Sequence, residues 1–531
     1  MAMEEPPDTS AHATDPSADG TDPSADATNP AADRRADYDY TGGDVDRPGL
    51  VEDLERRVDG EVRFDEYTRT LYATDASAYE VTPIGVVFPT DTTDVRATVT
   101  YCHDRAIPVL PRGGGTSLAG QTVNEAVVLD FTRHMDALRS VDPEGRTATA
   151  EPGILLGDLD AGLAGHGLKF APDPAWGDKS ALGGAIGNNS TGSHSLVYGK
   201  TDAYIEELEV VLADGTVHRF GPVTLAAWRD RAGTEDPVGR IYAALLEVVE
   251  SSGDAIAAAY PDLDRNVSGY NLDRLLEEYR SVRAGDRETV NLARVLAGSE
   301  GTLGVVTEAT VGLEPVPATK AMALLAYEDL LSALSDLEAI LEFDPAAVEV
   351  LDDVLLDLAR ETAEFGDLVD ATVPDGTGSV LLVEFYADDD ADGRRQVADL
   401  LADRQPATAT TADPTDPRGT GAPVRAFYAA EAHADAARAR FWTLRKSGLP
   451  ILLGRTCGAS RTARGRRRRG PPTRKTPGPV RRSRVGRRAR RPRGRIRGRW
   501  PRPTAPSAGR RTPEAPSPLS PGPTRARRWP R

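Results

Sequence analysis

Three long runs of small residues, far apart in the chain, constrain this sequence more than any other feature. The first, "PRGGGTSLAG" at 111–120, packs four glycines and two hydroxyls between the apolar runs "AIPVL" and "AVVLDFTR". The second, at 170–215, gathers Gly183, Gly184, Gly187, Asn188, Asn189 and Gly192 ahead of "ELEVVLADG". The third, at 292–317, carries Ser299, Glu300, Gly301 and Thr302 before "LGVVTEATVGL". Glycine reaches φ > 0 and lets backbone come close to a ligand, and successive exposed N–H groups make a concave anion site. A single loop of this kind reads as a structural turn as readily as a ligand site. The first run is neither GxxxxGK[ST] nor a GxGxxG that opens a helix, so neither nucleotide fingerprint applies. Three separated runs imply one extended ligand, of dinucleotide size, covered by backbone from several places.

The segments between them carry alternating strand and helix signals. "LVEDLERRV" reads as a short amphipathic helix, "PIGVVFPT" as a strand, and "TTDVRATVTYCHDRA" as a helix opened by a Thr/Asp cap. "IPVLPRG" enters the first glycine run and "AVVLDF" leaves it. Further strands are expected at "TATAEPG", "ELEVVLADGTV" and "LGVVTEATVGL", with "LGDLDAGLAGHG" a helix and "ADGT" a turn. The fold class is therefore α+β, with many hairpin-like returns. A second, α/β unit starts near residue 319, where strand and helix patterns alternate through "AMALLAYEDLLSALSDLEAILEF", "AAVEVLDDVLLDLA", "GSVLLVEFYA" and "DGRRQVADLLA". Within it, 403–422 is a long polar loop, and "AARARFWTLRKSGLPILLGR" supplies a helix and a strand. Residues 1–44 form a polar, acidic leader, too poor in apolar groups to order itself.

Charge divides the chain sharply. The net −18 is an average: from Arg461 onward 25 Arg and one Lys face a single acid, Glu514, a net of +25, which leaves −43 on residues 1–460. The 71 positions 461–531 hold only four Leu, Ile, Val or Phe, too few to build a buried face. Two readings of this tail stand. Arg-rich arms bind phosphate backbones, which would make a basic-tailed nucleic-acid-binding protein. Arg, Pro, Gly, Ala, Ser and Thr are also what a GC-rich gene yields when read out of frame. The abrupt break inside a half-built unit favours the second reading, with an inactive, truncated product as one consequence. The acid excess elsewhere argues against nucleic acid as a natural partner.

Other classes fall away on composition. Cys102 and Cys457 are the only cysteines, which excludes a disulfide framework and any Cys-based cluster or zinc site within this chain. No apolar run reaches 18 residues and the start "MAMEEPPDTS" is acidic. The expectation is a cytoplasmic chain without a transmembrane segment, with peripheral membrane attachment through an electron-acceptor partner left open. None of the seven histidines forms HxxH or HExxH, and no metal site is expected. His194 is the histidine to place near a cofactor, because it lies inside the second small-residue run.

The three runs together resemble the FAD-binding module of the vanillyl-alcohol-oxidase/PCMH flavoprotein superfamily, in its branch of D-lactate, glycolate and D-2-hydroxyglutarate dehydrogenases. "PRGGGTSLAGQ" is similar to the pyrophosphate loop of that family, "PDP…GGAIGNNSTG" to its second flavin segment and "GSEGTLGVVTEA" to its third. The likeness runs from about residue 50 to 455. It implies a PCMH-type FAD-binding domain over 45–318, an incomplete substrate (cap) domain over 319–455, and an out-of-frame, disordered tail at 456–531. "RNVSGYNLDRLL" resembles the subgroup that works with an iron–sulfur segment, although no such segment is legible.

By the same resemblance, Arg112, Gly113, Gly114, Gly115, Thr116 and Ser117 would hold the pyrophosphate. Pro172 and Asp173 would lie beside the dinucleotide, Gly184, Asn188 and Gly192 would line the flavin side, and Glu300 and Gly301 would close the site. Thr116 stands where some relatives carry the histidine that tethers flavin, so the FAD is expected to be non-covalent. Arg445 resembles the arginine that fixes the substrate carboxylate, and the base and metal-ligand histidines of the family have no counterpart after Arg455. The implied activity is oxidation of a 2-hydroxy acid, of D-lactate or glycolate type, with electrons passing to an iron–sulfur partner, quinone or cytochrome. A flavin oxidase using O₂ is the alternative within the superfamily.

Overall fold

The computed structural model describes residues 48–174, 176–263, 265–404 and 425–446. The polar leader, most of the 403–422 loop, the strand expected after Lys446 and the basic tail lie outside the described residues.

The first sheet has the order β1 (Glu61–Arg63), β2 (Gly85–Phe88), β4 (Val127–Asp130), β3 (Val109–Arg112). β2, β4 and β3 are parallel, and β1 is antiparallel to β2. Strands β2 and β4 are buried at every position, which is why they read as unbroken apolar runs rather than alternating ones. Helix α1 (Thr92–His103) carries the chain from β2 across to β3. Asp91 caps it by accepting from the Thr93 and Asp94 N–H groups. The buried Asp94 then accepts from the N–H groups of Asp59, Gly60 and Thr90, which pins the approach to β1. β3 and β4 are neighbours, and they are joined by the glycine run instead of a helix. That run therefore leaves the C-terminal edge of a parallel sheet, the edge where α/β proteins bind ligands.

The second sheet is antiparallel, with the order β5 (Leu138–Asp142), β6 (Thr147–Ala150), β9 (Val305–Gly312), β7 (Ile205–Val211), β8 (Val217–Phe220). "ADGT" makes the β7–β8 return, as its sequence predicts. β9 alternates buried and half-buried residues along its length, the period-2 signature of a strand with one face on a core. Its pairing with β7 slips between Val306 and Glu308. Such a bulge re-aims side chains beside a site. Helix α2 (Leu182–Asn188) lies within the second small-residue run, and its Leu182, Ala185 and Ile186 face the core behind this sheet.

The third sheet begins at Thr319: β10 (Thr319–Tyr327), β11 (Ala347–Asp352), β12 (Ser379–Ala387) and β13 (Tyr428–Ala432), in the antiparallel order β11-β12-β10-β13. It is covered on both faces. Leu325, Leu381, Val383 and Phe385 pack against helices α3 (Leu330–Leu341) and α6 (Asp390–Arg404). Met322, Leu324, Leu351 and Leu382 pack against α4 (Asp353–Arg360), α5 (Gly366–Thr372) and α7 (Asp435–Lys446). The central strands are consequently apolar on both sides, so "AMALLAY" and "GSVLLVEFYA" do not alternate.

Candidate functional site: a cleft closed by three glycine-bearing segments

The first segment is braced from within. Arg112, the last residue of β3, donates from Nη1 to the Thr122 carbonyl at 2.9 Å and the Tyr72 carbonyl at 3.2 Å, and from Nη2 to Thr74 at 2.8 Å. Burial pulls this guanidinium below its usual range, against the opposing pull of Asp130. Inside the loop, the buried Ser117 donates to Gln121, and Thr116 Oγ1 lies 3.1 Å from Ser180 Oγ. A Cβ on Gly114 would overlap the Lys179 carbonyl oxygen, so only glycine lets this loop lie on the second segment.

The second segment is held by a buried polar network. Asn189, at the C-terminus of α2, adopts φ of 48° and is 1% exposed. It accepts from the Asp202 N–H at 2.9 Å and donates to Asn271 Oδ1 at 3.2 Å. Asn271 donates in turn to Asp202 at 3.1 Å, and buried Lys200 pairs with Asp202 at 3.2 Å while donating to the Asn266 carbonyl. The stretch "RNVSGYNLDRLL" thus anchors the turn after α2. Gly192 packs against the Asp173 backbone, Pro172 is buried, and the Asp173 side chain is half exposed.

The third segment hydrogen-bonds onto the second through main chain. Gly298 N–H donates to Ile186 and Glu300 N–H to Gly187, both at 3.0 Å. Glu300 at φ 51° and Gly301 at φ 77° turn the chain sharply there. Gln121 of the first segment reaches Glu300 Oε1 at 3.4 Å. The result is one cleft. Of the expected cofactor residues, Arg112, Gly113, Gly184, Asn188, Glu300 and Gly301 line it. Gly114, Gly115, Thr116, Ser117, Pro172, Asp173 and Gly192 are not on its wall. Sequence reasoning missed Gln121, Thr122, Phe131, Pro152, Leu296, Ser299, Gly304 and Val306, which also line the cleft. Most of these lie within or beside the three runs. Phe131 and Pro152, just past the ends of β4 and β6, carry no glycine signal.

The cleft suits a dinucleotide. A Cβ on Gly184 would meet nothing within 4 Å, although this residue lines the cleft. Bare backbone therefore faces open space at the place where a flat ligand would approach. Apolar side chains of Phe131, Ile186, Leu296 and Val306 share the lining with polar groups from Arg112, Gln121 and Asn188, the mixture that small-molecule sites show.

Two further residues singled out from sequence lie elsewhere. Arg445, near the end of α7, donates from Nε to Glu349 of β11 at 2.6 Å and does not line the cleft. His194 is buried between Asp173 and Glu384 of β12. Among the described residues no three His, Cys, Asp or Glu side chains are grouped to hold a metal ion, and no helix is long and apolar enough to cross a membrane.

Comparison with known proteins agrees with this architecture. Residues 83–221 match the family described as an FAD binding domain, and residues 316–463 match the C-terminal domain of FAD linked oxidases. The chain is similar to the D-2-hydroxyglutarate dehydrogenase of Pantoea ananatis, with 33% identity over 340 residues, covering 63% of this chain and 33% of the relative. It is also similar to glycolate oxidase subunit GlcD of Bacillus subtilis, with 31% identity, covering 62% of this chain and 57% of the relative. It thus spans between a third and three-fifths of these relatives' lengths. Solved structures of an alkyldihydroxyacetonephosphate synthase share the fold, with a TM-score of 0.51 at 18% identity, covering 76% of this chain and 63% of that one in the first of them. The fold and the cleft define a PCMH-type FAD-binding domain followed by a partial C-terminal sheet region. The chain thus carries an FAD-binding domain and is related to FAD linked oxidases, among them D-2-hydroxyglutarate and D-lactate dehydrogenases and glycolate oxidase subunits.

Proposed function

We propose that this chain oxidises a 2-hydroxy acid to the 2-oxo acid with non-covalent FAD, and passes the electrons to an iron–sulfur partner, quinone or cytochrome. The observation that carries the reading is the convergence of three distant segments on one cleft with bare backbone at Gly184. The relatives, all named for 2-hydroxy-acid dehydrogenases or oxidases, supply the substrate class.

FAD supplies a hydride acceptor when bound. The protein's part is to bind, orient and screen. Arg112 and Gly113, which line the cleft, would meet the negative pyrophosphate, with the main-chain N–H groups of the glycine run as its anion-binding backbone. Thr116 stands where a tethering histidine would, so the flavin is held without a covalent bond. Glu349 fixes Arg445 at Nε, which leaves the terminal nitrogens of a planar fork for the substrate carboxylate. Loss of the hydroxyl proton requires a base within reach of it.

Anaerobic titration of the FAD-loaded chain with D-2-hydroxyglutarate, D-lactate and glycolate tests the reading. Bleaching of the flavin absorbance by at least one of them is expected. Retained flavin that none of the three bleaches would overturn it. Slow reoxidation by air, followed by stopped flow, separates a dehydrogenase from an oxidase.

A further inference from the structure

The second cofactor segment meets the third sheet at a buried histidine. His194 is 5% exposed, and its Nε2 lies 2.7 Å from Oε1 of Glu384, a residue of β12 that is 1% exposed. Its Nδ1 is buried without a hydrogen bond and stands 3.7 Å from Asp173 Oδ2. The ring stacks on Tyr386 with centroids 5.5 Å apart and leans on Trp442, whose Nε1 donates to the second Glu384 oxygen at 2.7 Å. Cations stand behind the carboxylates. Lys320 is 3.6 Å from Glu384, Lys169 lies over the Tyr198 and Tyr386 rings, and Lys446 acts on Asp173 from α7.

We propose that protonated His194 ties the second cofactor segment to the third sheet, and is thereby a positioning residue for the cofactor cleft whose hold depends on one proton. The inference rests on the FAD reading only where it concerns the cofactor. An imidazolium donates from both nitrogens and can satisfy Glu384 and Asp173 together, whereas a neutral ring serves only one of them. A buried carboxylate that loses its charged partner is strongly destabilising. Asp173 and His194 bracket the chain that forms α2, which supplies Gly184 and Asn188 to the cleft wall. Loosening the tie therefore loosens that wall.

The direction with pH follows. Burial acts to lower the His194 pKa, but the neighbouring carboxylates of Asp173 and Glu384 outweigh it and the net shift is upward. Burial likewise opposes the downward shifts of Asp173 and Glu384, which His194 and the lysines nevertheless impose. The histidine contribution is complete below about 6.5, the unfolded value, and is lost as pH rises through the raised folded value. The carboxylate contributions are lost only in acid, as pH falls through their lowered values.

The test uses the full chain, the His194→Gln variant, and Glu384→Gln as a second variant should the first fail to fold. Histidine resonances, thermal midpoint and FAD dissociation constant are followed from about pH 5.5 to 8.5, a range that spans the ordinary histidine value. The expected results are a His194 resonance titrating above the ordinary value and a midpoint that falls as it deprotonates. FAD affinity should weaken severalfold over the same range, and the variants should lose these dependences. A His194 resonance titrating at or below the ordinary value, or variants that keep the parental pH dependence, would overturn the proposal. If FAD does not bind at any pH, the cofactor reading fails by itself, while resonance and midpoint still decide the tie.

Discussion

Gly184→Val puts a branched side chain into the cleft without disturbing the protein around it. The Cβ at this position meets nothing within 4 Å, so that carbon displaces no neighbour. In a helix, valine is preferred to glycine by ~0.4 kcal/mol, so α2 should be as stable as before or slightly more so. The penalty falls on the ligand, because the added carbons occupy space the flavin segment needs. A tenfold loss of FAD affinity, about 1.4 kcal/mol, is the minimum expected, and a wholly blocked cleft would lose far more. Gly114→Ala is the contrasting case, since its methyl lands on the Lys179 carbonyl. Overpacking of that kind costs about 1–3 kcal/mol, so this variant should lose stability as well as affinity. Urea unfolding and flavin fluorescence titration on the same preparations separate the two effects. Parental FAD affinity in a folded Gly184→Val protein would refute the placement of the cofactor against α2.

Other consequences are checked more simply. Arg404→Met removes the partner of Asp336 in a pair 2.7 Å apart whose side chains are 8% and 2% exposed. Breaking a buried pair from one side costs about 3–5 kcal/mol, which urea unfolding should show; a change below about 1 kcal/mol, the scale of an exposed pair, would contradict it. Cys102 lies on the core-facing side of α1, and burial pushes its thiol up to about 12. A thiol reagent at neutral pH should therefore leave Cys102 unlabelled until the protein unfolds, and peptide mapping reads this directly. Arg445→Lys keeps the charge but loses the fork, so it should raise KM for the 2-hydroxy acid more than it lowers FAD binding. Unchanged steady-state kinetics would remove Arg445 from substrate recognition.

Much of the fold was legible because the local signals agree with one another. Asp91 before "TTDVRATVTYCH" sets a cap, "ADGT" sets a return, and the period-2 burial of β9 was present in "LGVVTEATVGL". The cofactor cleft was legible where it consists of glycine, since bare backbone leaves a compositional trace. Its apolar walls were not, because Phe131 and Val306 look like any core residue until strand ends and a bulge aim them. Long-range pairing was hidden as well. His194 and Glu384 are 190 residues apart, and Arg445 and Glu349 are 96 apart. No local pattern announces that such residues meet. The brace role of Arg112 was missed for the same reason, as its three acceptors are carbonyls, which carry no side-chain signature.

The most direct test of the central claim compares FAD with FMN in equilibrium binding to the full chain. An extended cleft closed by three segments predicts one FAD per chain, released intact on denaturation, and FMN bound at least a hundredfold more weakly, a difference of about 2.7 kcal/mol. Equal affinity for the two, or binding of neither, would contradict the account.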